Sequence, residues 1–132
     1  MRLTPFQAEH AKRQALLARG WPTSRAVGER LGVSNPAQHA AELRADGRLL
    51  GCWAADAGTY VHPDCQFDAE GRPLAVLHEL LALLPASGDD GGWRRAFWLY
   101  GPRDALDGKA PADELHVEPD RVLALARAEF SS

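Results

Sequence analysis

The stretch SRAVGERLGVSNPAQHAAELRADG, residues 24–47, decides the fold. Ala26, Val27 and Leu31 fall on one side of a short helix running from about Ser24 to Leu31. Gly32 breaks it and Val33 plugs the turn. Ser34-Asn35-Pro36 then supplies a cap and a helix start, and a further helix carries Ala40 and Leu43 on its inner side to Asp46-Gly47. Two short helices joined through Leu31-Gly32-Val33-Ser34 have the spacing of a helix-turn-helix, where glycine permits the tight turn.

The flanks extend this pattern. Upstream, Thr4-Pro5 caps a helix over residues 6–19 that stops at Gly20. Downstream, two β-like runs, Arg48 to Trp53 and Thr59 to Val61, are linked through a turn ending in Gly58. A hairpin directly after a helix-turn-helix is the layout of a winged helix. Residues 1–65 are therefore expected to form such a domain, and residues 66–132 a helical one.

With Ala40 and Leu43 turned inward, Ser34, Gln38, Ala41, Glu42 and Ala45 point outward. Gln38 suits a bidentate contact to adenine, and Ser34 and Asn35 suit a phosphate or base edge. Arg25, Arg30, Arg44 and Arg48 are placed to flank a groove as backbone contacts. Glu42 opposes this, because a carboxylate near phosphates is repelled. Charge is unevenly divided: residues 1–62 carry eight Lys/Arg against five Asp/Glu, residues 63–132 seven against thirteen. The basic part suits nucleic acid and the acidic part a cationic partner.

At 132 residues, 45% hydrophobic and 25% charged, the chain is long enough for one ordinary domain or two very small ones and too apolar for wholesale disorder. No transmembrane run or secretory signal is read, and the two cysteines, Cys52 and Cys65, make no disulfide framework. A cytoplasmic protein is expected. Cys52, His62 and Cys65 are too few for a structural zinc site, so no metal is expected. Gly101 to Lys109 has the wrong spacing for a phosphate loop, and Asp89-Asp90-Gly91-Gly92 lacks further oxygen ligands for calcium. No nucleophile is paired with a base, so neither catalysis nor a cofactor is expected.

In the acidic half, Pro73 opens a helix over residues 73–84 with Leu74, Leu77, Leu81 and Leu84 on one stripe, widened by Val76, Leu80 and Leu83. A helix so apolar must be buried on two sides or meet another chain, which predicts a homodimer. A second helix spans residues 93–100 and stops at Gly101-Pro102. Pro111 starts a short helix, and Glu118-Pro119-Asp120 opens the last one. The fold class is mainly α: a helix-turn-helix with a small hairpin wing, then a helical bundle.

The order Trp98-Leu99, Pro102, Leu106, Gly108, Pro111, Leu115 and Val122 resembles the toxin-binding domain of Xre/MbcA/ParS-type antitoxins. The preceding Gly47-Arg48-Leu49-Leu50-Gly51, Tyr60, His62-Pro63, Gln66-Phe67-Asp68 and Gly71-Arg72-Pro73 are similar to members joining a helix-turn-helix to that domain. The resemblance covers about residues 24–130. It implies a type II antitoxin that occludes the active site of a RES-domain toxin, an enzyme consuming or using NAD, and represses its own operon by binding operator DNA. Trp98, Leu106, Gly108 and Pro111 match the motif; Asp104, Asp107, Asp113 and Glu114 lie on or beside its turns and suit cationic groups around an NAD cleft. The chain departs from many relatives in ending at Phe130-Ser131-Ser132 without a longer glycine-containing tail, so blockage by a tail is not expected. The alternative is a stand-alone winged-helix regulator whose helical half serves dimerisation.

Overall fold

The computed structural model describes residues 2–130. Helix α1, Pro5–Leu17, starts at a reciprocal cap: the Thr4 side chain accepts from the Gln7 amide at 3.1 Å and Gln7 Oε1 accepts from the Thr4 amide at 2.9 Å. No residue of α1 is buried. It is held instead by Leu16 and Leu17, which pack on the Trp21–Trp93 cluster, and by Arg13, whose guanidinium lies 5.3 Å from the Trp93 ring centroid.

Helix α2, Ser24–Arg30, is capped by Thr23, whose side chain accepts from the Ala26 amide at 3.2 Å. Helix α3, Pro36–Ala45, opens on proline, and the Asn35 side chain makes no capping bond, contrary to the expected cap. The two helices touch backbone to backbone: a Cβ added at Gly28 would fall 2.2 Å from Pro36 O. Val27, Ala40, Leu49 and Phe67 fill the space beneath them.

Strands β1, Cys52–Ala54, and β2, Thr59–Val61, pair antiparallel with Trp53 opposite Tyr60. β1 is shorter than the run of residues 48–53 predicts, because the Gln66 side chain intercepts Leu50. Gln66 Oε1 accepts from the Leu50 amide and Gln66 Nε2 donates to Leu50 O, both at 2.8 Å, so these groups cannot extend the ladder. Gln66 Nε2 also donates to Pro63 O at 3.0 Å.

Helix α4, Val76–Leu83, begins three residues later than its leucine stripe suggests. Pro73 bridges to Phe67, and the Leu74 amide donates to Gln66 O at 2.8 Å, which keeps the chain extended. Helices α5, Trp93–Tyr100, α6, Pro111–Glu114, and α7, Pro119–Phe130, complete the described elements, with 3-10 turns at Asp64–Gln66 and Asp104–Leu106. Leu77, Leu80, Leu81 and Leu84 are buried against Trp98, Leu99, Leu115, Val122, Leu123 and Ala126. This corrects the premise of the expected homodimer: the chain itself covers the leucine-rich face. The exposed large apolar side chains are instead Leu3, Phe6, Trp53, Val117 and Phe130.

The segments before and after residue 65 share their cores. Leu50 and Cys65 belong to the bundle core, Phe67 lies with α2 and α3, and Trp21, Cys52, Ala54 and Val61 pack with Trp93 and Ala96. None of the described helices is long and apolar enough to cross a membrane.

Candidate nucleic-acid interface

Helix α3 presents the face its periodicity predicts: Ser34, Asn35, Ala37, Gln38, Ala41, Glu42 and Ala45 are exposed, while Ala40 is fully buried. Proline at its first position and the turn at Gly32 (φ +70°) set its direction against α2. A depression of about 190 Å³ at its N-terminal end is lined by Ser34, Asn35, Gln38, His39 and Glu42. Gln38 Nε2 donates to Glu42 Oε1 at 3.3 Å, so the carboxylate orients the amide instead of standing free.

The arginines divide into three states. Arg25 is exposed but holds Glu29 at 2.8 Å, so it must give up that carboxylate to meet a phosphate. Arg44 turns inward: its Nη1 donates to Ser24 Oγ at 2.8 Å and to His62 Nε2 at 2.9 Å, and the guanidinium lies 4.3 Å from the Tyr60 centroid. It is not on the outward face where a groove contact was expected. Arg30, Arg48 and Arg72 are exposed, and none has a carboxylate within 4.0 Å among the described residues.

Arg72 was not singled out from sequence. It reaches this surface because its turn folds under α2: the Arg30 side chain lies over Gly71, 3.0 Å from where a Cβ would stand. Asp68 fixes the turn by accepting the amides of Glu70 and Arg72, both at 2.9 Å; the bond from Arg72 is the main reason its carboxyl is held below the usual range. Arg48 and Pro73 border one shallow cavity of about 180 Å³, which places Arg48 beside the same turn. The only sequence signal for Arg72 is its place in Gly71-Arg72-Pro73. Elsewhere most arginines are paired: Arg13, Arg19, Arg95, Arg103, Arg121 and Arg127, with Lys109, each hold a carboxylate, whereas Arg2, Lys12 and Arg94 are exposed with none within 4.0 Å among the described residues.

Trp98, Leu106, Pro111 and Glu114 are buried. Trp98 Nε1 donates to Glu129 Oε2 at 2.8 Å, and the Glu114 carboxylate lies 3.5 Å from Lys109 and 3.7 Å from Arg121. These motif residues hold the bundle. Asp104, Asp107, Gly108 and Asp113 are exposed, with Asp107 in the left-handed region at φ +60° and Asp113 accepting the Ala110 amide at 3.2 Å.

His62 joins these parts. It is fully buried, and its Nδ1 donates to Pro22 O at 2.9 Å, which leaves Nε2 as the acceptor for Arg44. Both ring nitrogens are therefore engaged and unavailable to a metal. Burial, reinforced by the Arg44 charge against the bond to Pro22, lowers its pKa to about 4 from 6.5. A histidine depressed in this way contributes stability that is intact above its unfolded pKa and lost as pH falls through the folded one. Unfolding free energy should therefore decline between about pH 6.5 and pH 4, by about 3 kcal/mol at the lower limit. Urea titrations across that range check this. His62→Gln should lower stability at pH 7 and flatten the slope; an unchanged slope would count against His62 as its source. Burial also pushes the Cys65 thiol up to about 11, and raises that of Cys52 further, so neither is a thiolate at neutral pH.

The described architecture is that of a mainly helical protein with a small two-stranded antiparallel sheet. It is similar to a solved structure, an NMR structure of Rv2175c, with a TM-score of 0.67 and 28% sequence identity over 84% of this chain and 82% of that one. A likeness covering that share of the chain extends over both halves. No protein-family model matches the chain. A search of curated proteins finds no match.

Proposed function

We propose that the chain is a DNA-binding regulator in which α2 and α3 act as a helix-turn-helix. The supporting observation is that Arg30 on α2, Arg48 just after α3 and Arg72 on the turn packed under Arg30 are exposed and hold no carboxylate within 4.0 Å among the described residues, which leaves cations on the elements next to α3 available to phosphate. Ion-paired arginine must give up its partner to meet phosphate; a free one releases counterions at once. In this reading α3 enters the major groove, Gln38 reads adenine, and Ser34 and Asn35 contact bases or phosphates near its start. In this reading the hairpin serves as the wing. Its tip, Ala55 to Gly58, carries Asp56 and no cation, so the tip offers phosphate nothing to bind.

The test is binding to duplexes selected from a random pool, measured against salt. Arg48→Ala and Arg72→Ala should each weaken binding across all sequences and reduce the salt slope by about 1. Gln38→Ala should instead relax preference at one or two positions, and Arg25→Ala should do least. If no selected duplex is preferred and even low-salt binding is absent, the reading is wrong.

A second reading is favoured by the exposed carboxylates of Asp104, Asp107 and Asp113 around Gly108. In it the acidic half binds and silences a RES-domain toxin, as the antitoxin resemblance implies, with no catalysis or cofactor of its own. Acidic turns complement a cleft built for NAD phosphates. Charge reversal at Asp104 should then speed dissociation without lowering the melting temperature; Asp113 is left in place because it caps α6 through the Ala110 amide. Cells dying equally with and without this protein beside such a toxin, and no complex on gel filtration, would exclude it.

A further inference from the structure

A cleft of about 410 Å³ lies between α3, the sheet and the loop leading into α5. Arg44, Tyr60, Gly51, Gly91, Gly92 and Arg95 border it, none of them on the outward face of α3. Its charges do not cancel. Arg95 is matched by Asp89, whose Oδ2 lies 2.7 Å from Arg95 Nε and whose Oδ1 accepts the Arg95 amide at 3.0 Å. Arg44 has no such partner among the described residues. Ser24 Oγ, His62 Nε2 and the Tyr60 ring hold its guanidinium, and all three are neutral. Burial lowers the Arg44 pKa, yet a guanidinium cannot discharge at physiological pH. The structure thus fixes a half-buried cation in place and leaves its charge uncompensated.

The backbone repeats the pattern. The amides of Gly51, Gly91 and Gly92 donate to no protein acceptor among the described residues, although Gly51 and Gly92 are buried. Buried amides are rarely left without a partner. Asp90, Gly91 and Gly92 follow one another with φ of +54°, +68° and +94°. Successive turn residues of this kind present their amides as an anion-binding concavity. Side chains are excluded: a Cβ at Gly92 would fall 2.0 Å from Gly51 O, and one at Gly51 would fall 2.6 Å from Arg44 Cδ.

We propose that this cleft binds a phosphate oxyanion, seated on the Arg44 guanidinium and the free glycine amides. Several unpartnered donors on different elements bordering one cleft suit the three or four oxygens of a phosphate better than the two of a carboxylate. The phosphate belongs to a small ester or to the backbone of a bound duplex; the recognising chemistry is the same.

Amide NMR spectra of the full chain separate the cases. Inorganic phosphate, added at constant ionic strength with chloride as control, should shift the Gly51, Gly91 and Gly92 amides saturably if the ligand is a free ester. Duplex DNA should then leave them in place. If the source is the DNA backbone, duplex shifts the same amides and inorganic phosphate does not. Arg44→Met should weaken either response at least about tenfold, the loss of a hydrogen bond to a charged group. That variant forfeits the Ser24 and His62 bonds, so its melt is recorded first; Arg44→Lys, which keeps the charge, should respond in between. The wild-type titration decides even if both variants unfold. The proposal is overturned if neither ligand moves the three amides, or if they move equally in Arg44→Met. Because the phosphate arm contains no DNA, its outcome is independent of the helix-turn-helix reading.

Discussion

Gly28→Ala should lower stability by about 2 kcal/mol, and with it any DNA binding the wild type shows under the proposed reading, although alanine is the better helix former. The added methyl would stand 2.2 Å from Pro36 O and 2.3 Å from Pro36 Cα, both backbone atoms at the start of α3. No rotamer relieves such a contact, so the helices must part. Forcing volume into a packed contact costs about 3 kcal/mol, while the gain in helix propensity is about 1 kcal/mol. The contact wins. A fall of roughly 8 °C in melting temperature is expected, with loss of any gel shift seen for the wild type. A variant that melts at or above the wild-type temperature would mean that α2 and α3 are not packed this closely.

Trp93→Ala should be more damaging still, by about 3 to 5 kcal/mol. Trp93 is 2% exposed, stacks on Trp21 at 6.1 Å, meets the tilted Phe97 ring at 5.9 Å, and donates from Nε1 to Trp53 O at 2.9 Å. Its removal empties the space where α1, the sheet and α5 meet and leaves the Trp53 carbonyl without a donor. Against a typical total of 5 to 15 kcal/mol, that loss leaves a marginal fold. Urea unfolding followed by far-ultraviolet circular dichroism measures it without relying on tryptophan emission. A cost below about 1 kcal/mol would contradict the packing described for this core.

Most helix boundaries were legible because their signals are local: Thr4-Pro5 and Pro36 start helices, and Gly101-Pro102 follows the end of α5. The late start of α4 was not, because Leu74 is kept extended by Gln66, and nothing near Pro73 announces that bond. The outward face of α3 followed from a period of 3.6 residues. The direction of Arg44 did not, since Tyr60 and His62 meet it only through the return of the chain in β2. Arg72 became part of the candidate interface for the same kind of reason: Gly71 lies under Arg30 only in three dimensions. In the C-terminal half, a motif alone does not distinguish residues that build a surface from residues that face a partner. Trp98, Leu106, Pro111 and Glu114 proved buried, while Asp104 and Asp113 stand outside.

Leu49 and Leu50 are neighbours in sequence, yet Leu49 points into the core beneath α2 and α3 and Leu50 into the core of the bundle. Two cores are thus stitched together across one peptide bond, about 3.8 Å from Cα to Cα. Such a join has no slack. The chain is therefore indivisible here: a cut between residues 48 and 67 would leave each fragment with half a seam, so neither α3 nor the bundle is a detachable module.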